Sequence, residues 1–196
     1  MKREVIMDFR KHFETAWSLT VKFVIPLVLM TLVLFVVSAV TLGILSPAAM
    51  AGYVQSILLM VRSGREPKIQ DIFSQMRLFF PLLLFAIALF IATTLGYLLF
   101  VIPGIVIVGL ICFGCLYMIP LMTDRKLGLV SAFKESWRLS LEGRIIDQIV
   151  VVVLFLGITF VGSSLFIASL FTQPLATAIV LSVYEEKISA KVGPTA

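Results

Sequence analysis

Phe100-Val101-Ile102-Pro103-Gly104-Ile105-Val106 lies near the middle of a run of 46 residues, 78–123, that contains no Asp, Glu, Lys, Arg or His. A helix crossing the roughly 30 Å hydrocarbon core of a bilayer needs about 20 apolar residues. The run is therefore twice as long as one span. Proline lacks the N–H that a helix interior requires and biases the residue before it away from helical angles. The stretch predicts a helical hairpin that turns at Ile102-Pro103-Gly104.

Working outward, two more uncharged runs appear, 23–61 with 39 residues and 148–184 with 37. Each also has a breaker near its middle, Ser46-Pro47 in the first and Gln173-Pro174 in the last. The pattern predicts an all-α integral membrane protein with six segments, near 18–45, 47–61, 80–101, 104–122, 149–171 and 174–184. Backbone groups in lipid must be satisfied within the segment, which helices achieve, and no strand-like alternation suggests a barrel. The second and sixth segments are short, so spanning and re-entry both remain open for them. Pro26 and Pro120 are expected to kink the first and fourth helices. Ala49-Met50-Ala51 resembles a signal-peptide cleavage site, but the apolar run before it is too long for a signal peptide, so the first helix is expected to stay.

The composition agrees. The chain has 196 residues, 60% of them hydrophobic and 14% charged, and a mean hydropathy of +1.11. Soluble domains average roughly 25% charged residues, and disorder requires low hydrophobicity, so both classes are excluded. All 16 Lys and Arg and all 11 Asp and Glu fall in the four stretches that flank the runs. Three hairpins place those stretches on one side, and the positive-inside rule makes that side the cytoplasm, with both termini there.

The segments that precede the hairpins resemble one another. Phe13-Glu14-Thr15-Ala16-Trp17-Ser18-Leu19 aligns with Phe133-Lys134-Glu135-Ser136-Trp137-Arg138-Leu139, and Ile72-Phe73-Ser74-Gln75-Met76-Arg77-Leu78 fits the same frame. Apolar residues recur at helical spacing in each: Val5, Phe9, Phe13 and Trp17; Ile69, Ile72, Phe73, Met76 and Phe80; Val130, Phe133, Trp137 and Leu141. Such helices suit the membrane interface, apolar face down. The whole chain then reads as one polytopic domain of three repeated units, about 1–62, 63–123 and 124–191, each an interfacial amphipathic helix plus a hairpin.

Ile102-Pro103-Gly104-Ile105, the set Asp124-Arg125-Lys126-Leu127-Gly128 with Ser131-Ala132-Phe133, Ser136-Trp137 and Glu142-Gly143, and the closing Pro174 with Tyr184-Glu185-Glu186 suggest a family. Together they resemble the six-span bacterial inner-membrane proteins of the YciC-like group and the related glycerophosphoryl diester phosphodiesterase membrane domain. The resemblance is best over residues 95–187 and implies a membrane-domain fold without an established chemistry.

Chemistry at depth needs ionisable groups, and the three runs hold none. His12, the single histidine, lacks partner ligands in sequence and reads as an interfacial bystander. Cys112 and Cys115 are spaced as Cys-x-x-Cys but sit in an apolar helix, where they read as packing residues. No base matches any serine in depth, which argues against a serine nucleophile. Neither a cofactor nor a metal site is expected, and the leading expectation is a protein that is not an enzyme, a scaffold or accessory subunit.

Its basic residues Arg62, Arg65, Arg77, Arg125, Lys126 and Arg138 are expected at the anionic leaflet, as topological anchors or in contact with lipid headgroups, each attracted by about 1 kcal/mol. Nucleic acid is not an expected partner, because these charges are tied to the membrane and interleaved with acids. Ala48, Gly52 and Ser56 form a small-residue stripe for close packing within the subunit or in a homo-oligomer. The alternative function is a channel or carrier for a small solute, its path lined by Gln55, Thr93, Thr94, Tyr97 and Gln173. The same residues serve equally as interhelical hydrogen-bond partners. A third reading is an enzyme that acts on headgroups through Asp124, Glu135 and His12.

Overall fold

A computed structural model describes residues 8–99, 101–163 and 166–192, and every regular element among them is helical. In chain order these are α1 (Phe9–Lys22), α2 (Val24–Val40), α3 (Ser46–Ser63), α4 (Phe79–Leu99), α5 (Val101–Cys115), α6 (Met118–Thr123), α7 (Leu129–Leu141), α8 (Ile145–Ser163) and α9 (Phe166–Val192). Among the described residues, four stretches are long and apolar enough to cross a membrane: Ile69–Leu98, Val106–Thr123, Ile145–Gly162 and Ile167–Ala190. The bent pair α1–α2 adds a fifth if it is counted as one span.

Ile102-Pro103-Gly104, expected as a turn, instead lies in the first turn of α5, where a proline is tolerated. Other prolines decide where helices break or begin. The Pro26 ring cannot accommodate the Lys22 carbonyl four residues back. The chain breaks at Phe23, and α1 and α2 diverge by 87°. The single first segment expected over 18–45 is therefore two helices. Pro120 acts likewise on the fourth segment, which divides at Leu116 and Tyr117 into α5 and α6. Pro47 opens α3, where a missing N–H costs nothing, and the turn before it uses positive φ at Leu42 and Gly43.

Pro174 behaves differently. It lies inside the 27-residue α9 instead of ending a helix. α8 ends at Ser163 and α9 begins at Phe166, so the helix boundary expected between 171 and 174 comes earlier in the chain. A proline is tolerated in a span when neighbouring helices enclose the weakened turn. Residues 174–181 are all buried.

A second correction concerns residues 69–78. They form two 3₁₀ turns, Ile69–Phe73 and Met76–Leu78, and not an amphipathic α-helix.

The helices assemble in a cyclic order. In each hairpin, the first helix packs on the second helix of the hairpin before it: α2 on α9, α4 on α3, and α8 on α5. The segments that precede the hairpins follow the same rule, with α1 on α9, the 3₁₀ turns on α3, and α7 on α5 and α6. The second helices therefore gather at the centre. Tyr53, Ile57 and Met60 of α3, Leu121 and Met122 of α6 with the adjoining Tyr117, and Leu181 and Tyr184 of α9 form the core. The outer faces of α4 and α8 carry Phe90, Leu98 and Phe160, all at least 70% exposed, which suits contact with lipid. α3 carries Gln55 and Ser56 in its centre because its neighbours there are protein.

Candidate functional site

The second helices end together. Arg62 closes α3, Asp124 follows α6, and Glu185 lies near the end of α9. The Arg62 guanidinium holds Asp124 with two parallel bonds, Nη1–Oδ1 at 2.7 Å and Nη2–Oδ2 at 2.9 Å. It also donates to Glu185 Oε1 from Nε at 3.0 Å and from Nη2 at 2.6 Å. Tyr184 donates to Asp124 Oδ2 at 3.3 Å, and Arg125 approaches the same oxygen at 3.9 Å. Planar, two-pronged pairing of this kind is what a guanidinium provides and an ammonium does not.

Burial opposes ionisation of Asp124, yet the Arg62 guanidinium, with help from Tyr184 and Arg125, holds its carboxyl below the ordinary value. The hydrogen bonds to Asp124 and Glu185 push the Arg62 guanidinium further up.

Each of these three residues is the first ionisable one after an uncharged run, at intervals of 62 and 61 positions. That regularity was the sequence signal for the junction, and the residue-type arguments above passed over Glu185. Two of the three chain paths also leave alike. Gly64 and Lys126, each two positions beyond the junction residue, both adopt positive φ, at 66° and 53°.

Beside the junction, where the Tyr117 and Tyr184 rings lie 6.2 Å apart, is a second polar knot. Lys187 Nζ donates to the Leu139 carbonyl at 2.8 Å and to Gln148 Oε1 at 2.9 Å. The same oxygen accepts from Tyr117 Oη at 2.9 Å. Further in, the break between α5 and α6 leaves backbone groups unpaired, and α7 supplies them. Ser136 Oγ donates to the Gly114 carbonyl at 2.6 Å and accepts from the Tyr117 N–H at 3.3 Å. Ser140 Oγ donates to the Phe113 carbonyl at 2.8 Å. Gly114 permits this approach, because a Cβ there would enter the Trp137 ring.

α1 presents an equivalent face to α9. His12, Ala16 and Thr20 are buried, as are Ala132, Ser136 and Ser140 120 positions later. His12 is not a bystander. It is 4% exposed, its Nδ1 lies 2.8 Å from Ser182 Oγ, and Glu186 Oε2 approaches Nε2 to 2.6 Å without hydrogen-bond alignment. The structure thus pairs a serine with an imidazole, which sequence order alone did not reveal. Asp71, one position before Ile72 as His12 is before Phe13, accepts from Ser56 Oγ at 2.7 Å.

The small-residue stripe is used within the chain. Ala48, Gly52 and Ser56 are buried, and a Cβ on Gly52 would meet the carbonyls of Asp71 and Ile72. The homo-oligomer face expected there is covered by the protein's own 3₁₀ turn.

The basic residues divide. Arg62 belongs to the junction, Arg65 pairs with Asp71, and Arg138 pairs with Glu135 at 3.1 Å. Arg77 is exposed, and Arg125 and Lys126 sit exposed on the loop between α6 and α7.

The polar residues of the conceived path do not converge. Thr94 and Tyr97 lie on the exposed surface of α4, while Thr93 Oγ1 donates to its own helix at Leu89 and Phe90. Gln55 lies in the buried α3, and Gln173 offers its backbone carbonyl to Thr177 Oγ1 at 2.9 Å.

Where the hairpins meet there is instead an apolar cavity of about 220 Å³. Val54 of α3, Cys112 and Cys115 of α5, Pro120 of α6, Phe155 of α8 and Leu181 of α9 line it.

No protein-family model, no curated protein and no solved structure matches this chain.

Proposed function

We propose that this chain is a non-enzymatic, multi-pass inner-membrane protein, a scaffold or accessory subunit that contacts anionic headgroups on the cytoplasmic leaflet. Its three repeated units contribute six membrane segments, with both termini cytoplasmic. The observation that carries the reading is the cyclic packing, in which every pre-hairpin segment and every first helix seats on the second helix of the preceding unit. The 120-position correspondence of His12, Ala16 and Thr20 with Ala132, Ser136 and Ser140 supports the repeat. So does the meeting of Arg62, Asp124 and Glu185. The resemblance to the YciC-like group points the same way.

Arg77 and Lys126, with Arg125 whose approach to Asp124 is a loose 3.9 Å, carry the headgroup contact, because Arg62, Arg65 and Arg138 are engaged more closely by the chain's own carboxylates. Lys126 supports this role further. It holds a left-handed conformation, φ 53°, that glycine adopts more readily, at a position where the Leu127 N–H reaches back to the Leu121 carbonyl. A channel or carrier has less behind it, since the polar residues of the path lie apart.

Thermal stability in mixed micelles tests the headgroup contact. Phosphatidylglycerol is expected to raise it more than phosphatidylcholine does, and Arg125→Glu with Lys126→Glu is expected to remove the difference. Turnover of a phosphodiester or lipid substrate by the purified chain overturns the non-enzymatic reading.

A further inference from the structure

We infer that the cavity between the hairpins holds one acyl chain of a bilayer phospholipid from the cytoplasmic leaflet. The inference rests on the membrane reading given above and adds a ligand to it.

Among the described residues the walls of the cavity are hydrocarbon and thiol, with Thr177 the one hydroxyl lining it. That hydroxyl is already donated to the Gln173 carbonyl. A buried water needs two to four polar partners, and apolar cavities of comparable size stay dry while accepting hydrocarbon. Water and polar solutes are therefore poor occupants.

The cavity's lining residues on α5, α6, α8 and α9 fall within the apolar stretches Val106–Thr123, Ile145–Gly162 and Ile167–Ala190, where on the membrane reading bilayer hydrocarbon is the solvent. Its walls come from all three hairpins, and the cavity is open over part of its surface. An acyl chain can thus enter from the bilayer without leaving it.

The headgroup end is also defined. Pro120 and Leu181 on the cavity wall each lie four residues, about 6 Å along a helix, from Asp124 and Glu185. The cavity therefore ends one helical turn below the ion-paired junction. At that junction Arg62 is satisfied by two carboxylates, which leaves the phosphate to the exposed Arg125 and Lys126 on the adjoining loop. A chain seated in the cavity and a headgroup on that loop belong to one phospholipid.

Photocrosslinking tests this in vesicles that contain the full chain and phosphatidylglycerol with a diazirine in its acyl chain. Adducts are expected on residues 111–120 and 177–181, and also on the outward residues Phe90 and Phe160. Filling the cavity with Cys112→Trp is expected to abolish the first set and spare the second. Cys115→Phe, from the neighbouring wall position, is expected to do the same and stands in if the first variant fails to fold.

Adducts on Phe90 and Phe160 alone in the unmodified chain overturn the inference and leave the membrane reading intact. Absence of both sets overturns the membrane reading itself. A small free apolar diazirine that labels the cavity where the phospholipid does not also overturns the phospholipid assignment. So does cavity labelling that survives both filling variants.

Discussion

Arg62 and Asp124, 62 positions apart and on different hairpins, are joined by two parallel hydrogen bonds of 2.7 and 2.9 Å, and both also contact α9. Three hairpins with apolar outer faces gain little from one another's hydrocarbon in lipid, because lipid tails are as apolar as leucine. Specific polar contacts between them therefore matter more for the arrangement. The junction is one of the few places where all three meet.

Removing Arg62 strands a mostly buried carboxylate. Arg62→Ala is expected to cost about 1–3 kcal/mol, less than a fully buried pair because the guanidinium is 39% exposed. The double variant with Asp124→Ala is expected to cost less than the sum of the two single changes. Reversible unfolding in mixed micelles supplies the cycle, and strict additivity counts against the coupling.

The same pair sets an acid dependence. The Asp124 carboxyl lies below its ordinary value of 3.8 when folded, so its contribution is fully present above that value. It is lost as pH falls through the lower folded value. In Arg62→Ala the guanidinium that opposes burial is gone, so this acid-dependent contribution is expected to shrink. Melting temperatures of the two proteins compared between about pH 6 and pH 3 read the difference. Parallel curves eliminate the pair as its source.

Glycine has opposite meanings at two helical positions. A Cβ at Gly52 meets the backbone carbonyls of Asp71 and Ile72, which have no side-chain freedom to yield, whereas a Cβ at Gly109 meets nothing within 4 Å. Gly52→Ala is expected to destabilise by about 1–3 kcal/mol. Gly109→Ala is expected to stabilise by roughly 0.5–1 kcal/mol through backbone entropy. Thermal unfolding of both variants gives the signs.

Ser136 splices the ladder at the break before Pro120. Ser136→Ala leaves the Gly114 carbonyl and the Tyr117 N–H without their side-chain partner in a dry core, at an expected cost of about 1–3 kcal/mol. The exposed Ser131→Ala is expected to stay within about 0.5 kcal/mol of the original. Equal melting temperatures for the two variants contradict the role given to Ser136.

His12 ties α1 to α9. Replacing it with alanine removes the 2.8 Å contact to Ser182 and is expected to weaken docking by about 1 kcal/mol, roughly a fivefold rise in the undocked population. Limited trypsin cleavage after Arg10 and Lys11 reports that population. An unchanged cleavage rate removes His12 from the docking contact.

Much of the architecture was legible in the chain, because charge distribution is a one-dimensional signal. Ionisable residues cannot be left in hydrocarbon, so their absence from 23–61, 78–123 and 148–184 marks the apolar hairpins directly. Pro26, Pro47 and Pro120 break or open helices as local sterics require. Pro174 does not, because a proline signals only the loss of one hydrogen bond. Whether a helix survives that loss depends on what surrounds it, and α9 is enclosed where Pro174 lies. The 3₁₀ turns at 69–78 were missed for a related reason: their apolar spacing fits a helix, but the backbone follows the groove that Gly52 opens on α3.

The site was less legible. Hydropathy registers what a residue avoids, not what it meets. His12 gave no hint of Ser182, 170 positions away, and the basic residues did not reveal which of them the chain's own acids would neutralise. By itself the sequence determined a multi-helix chain with apolar hairpins, its charge segregated to their flanks, because transfer free energies act residue by residue. The tertiary structure decided that the second helices would form the centre, that three widely separated residues would close it, and that the space beneath would be apolar. Those outcomes depend on which surfaces face one another, and that relation does not exist until the chain has packed.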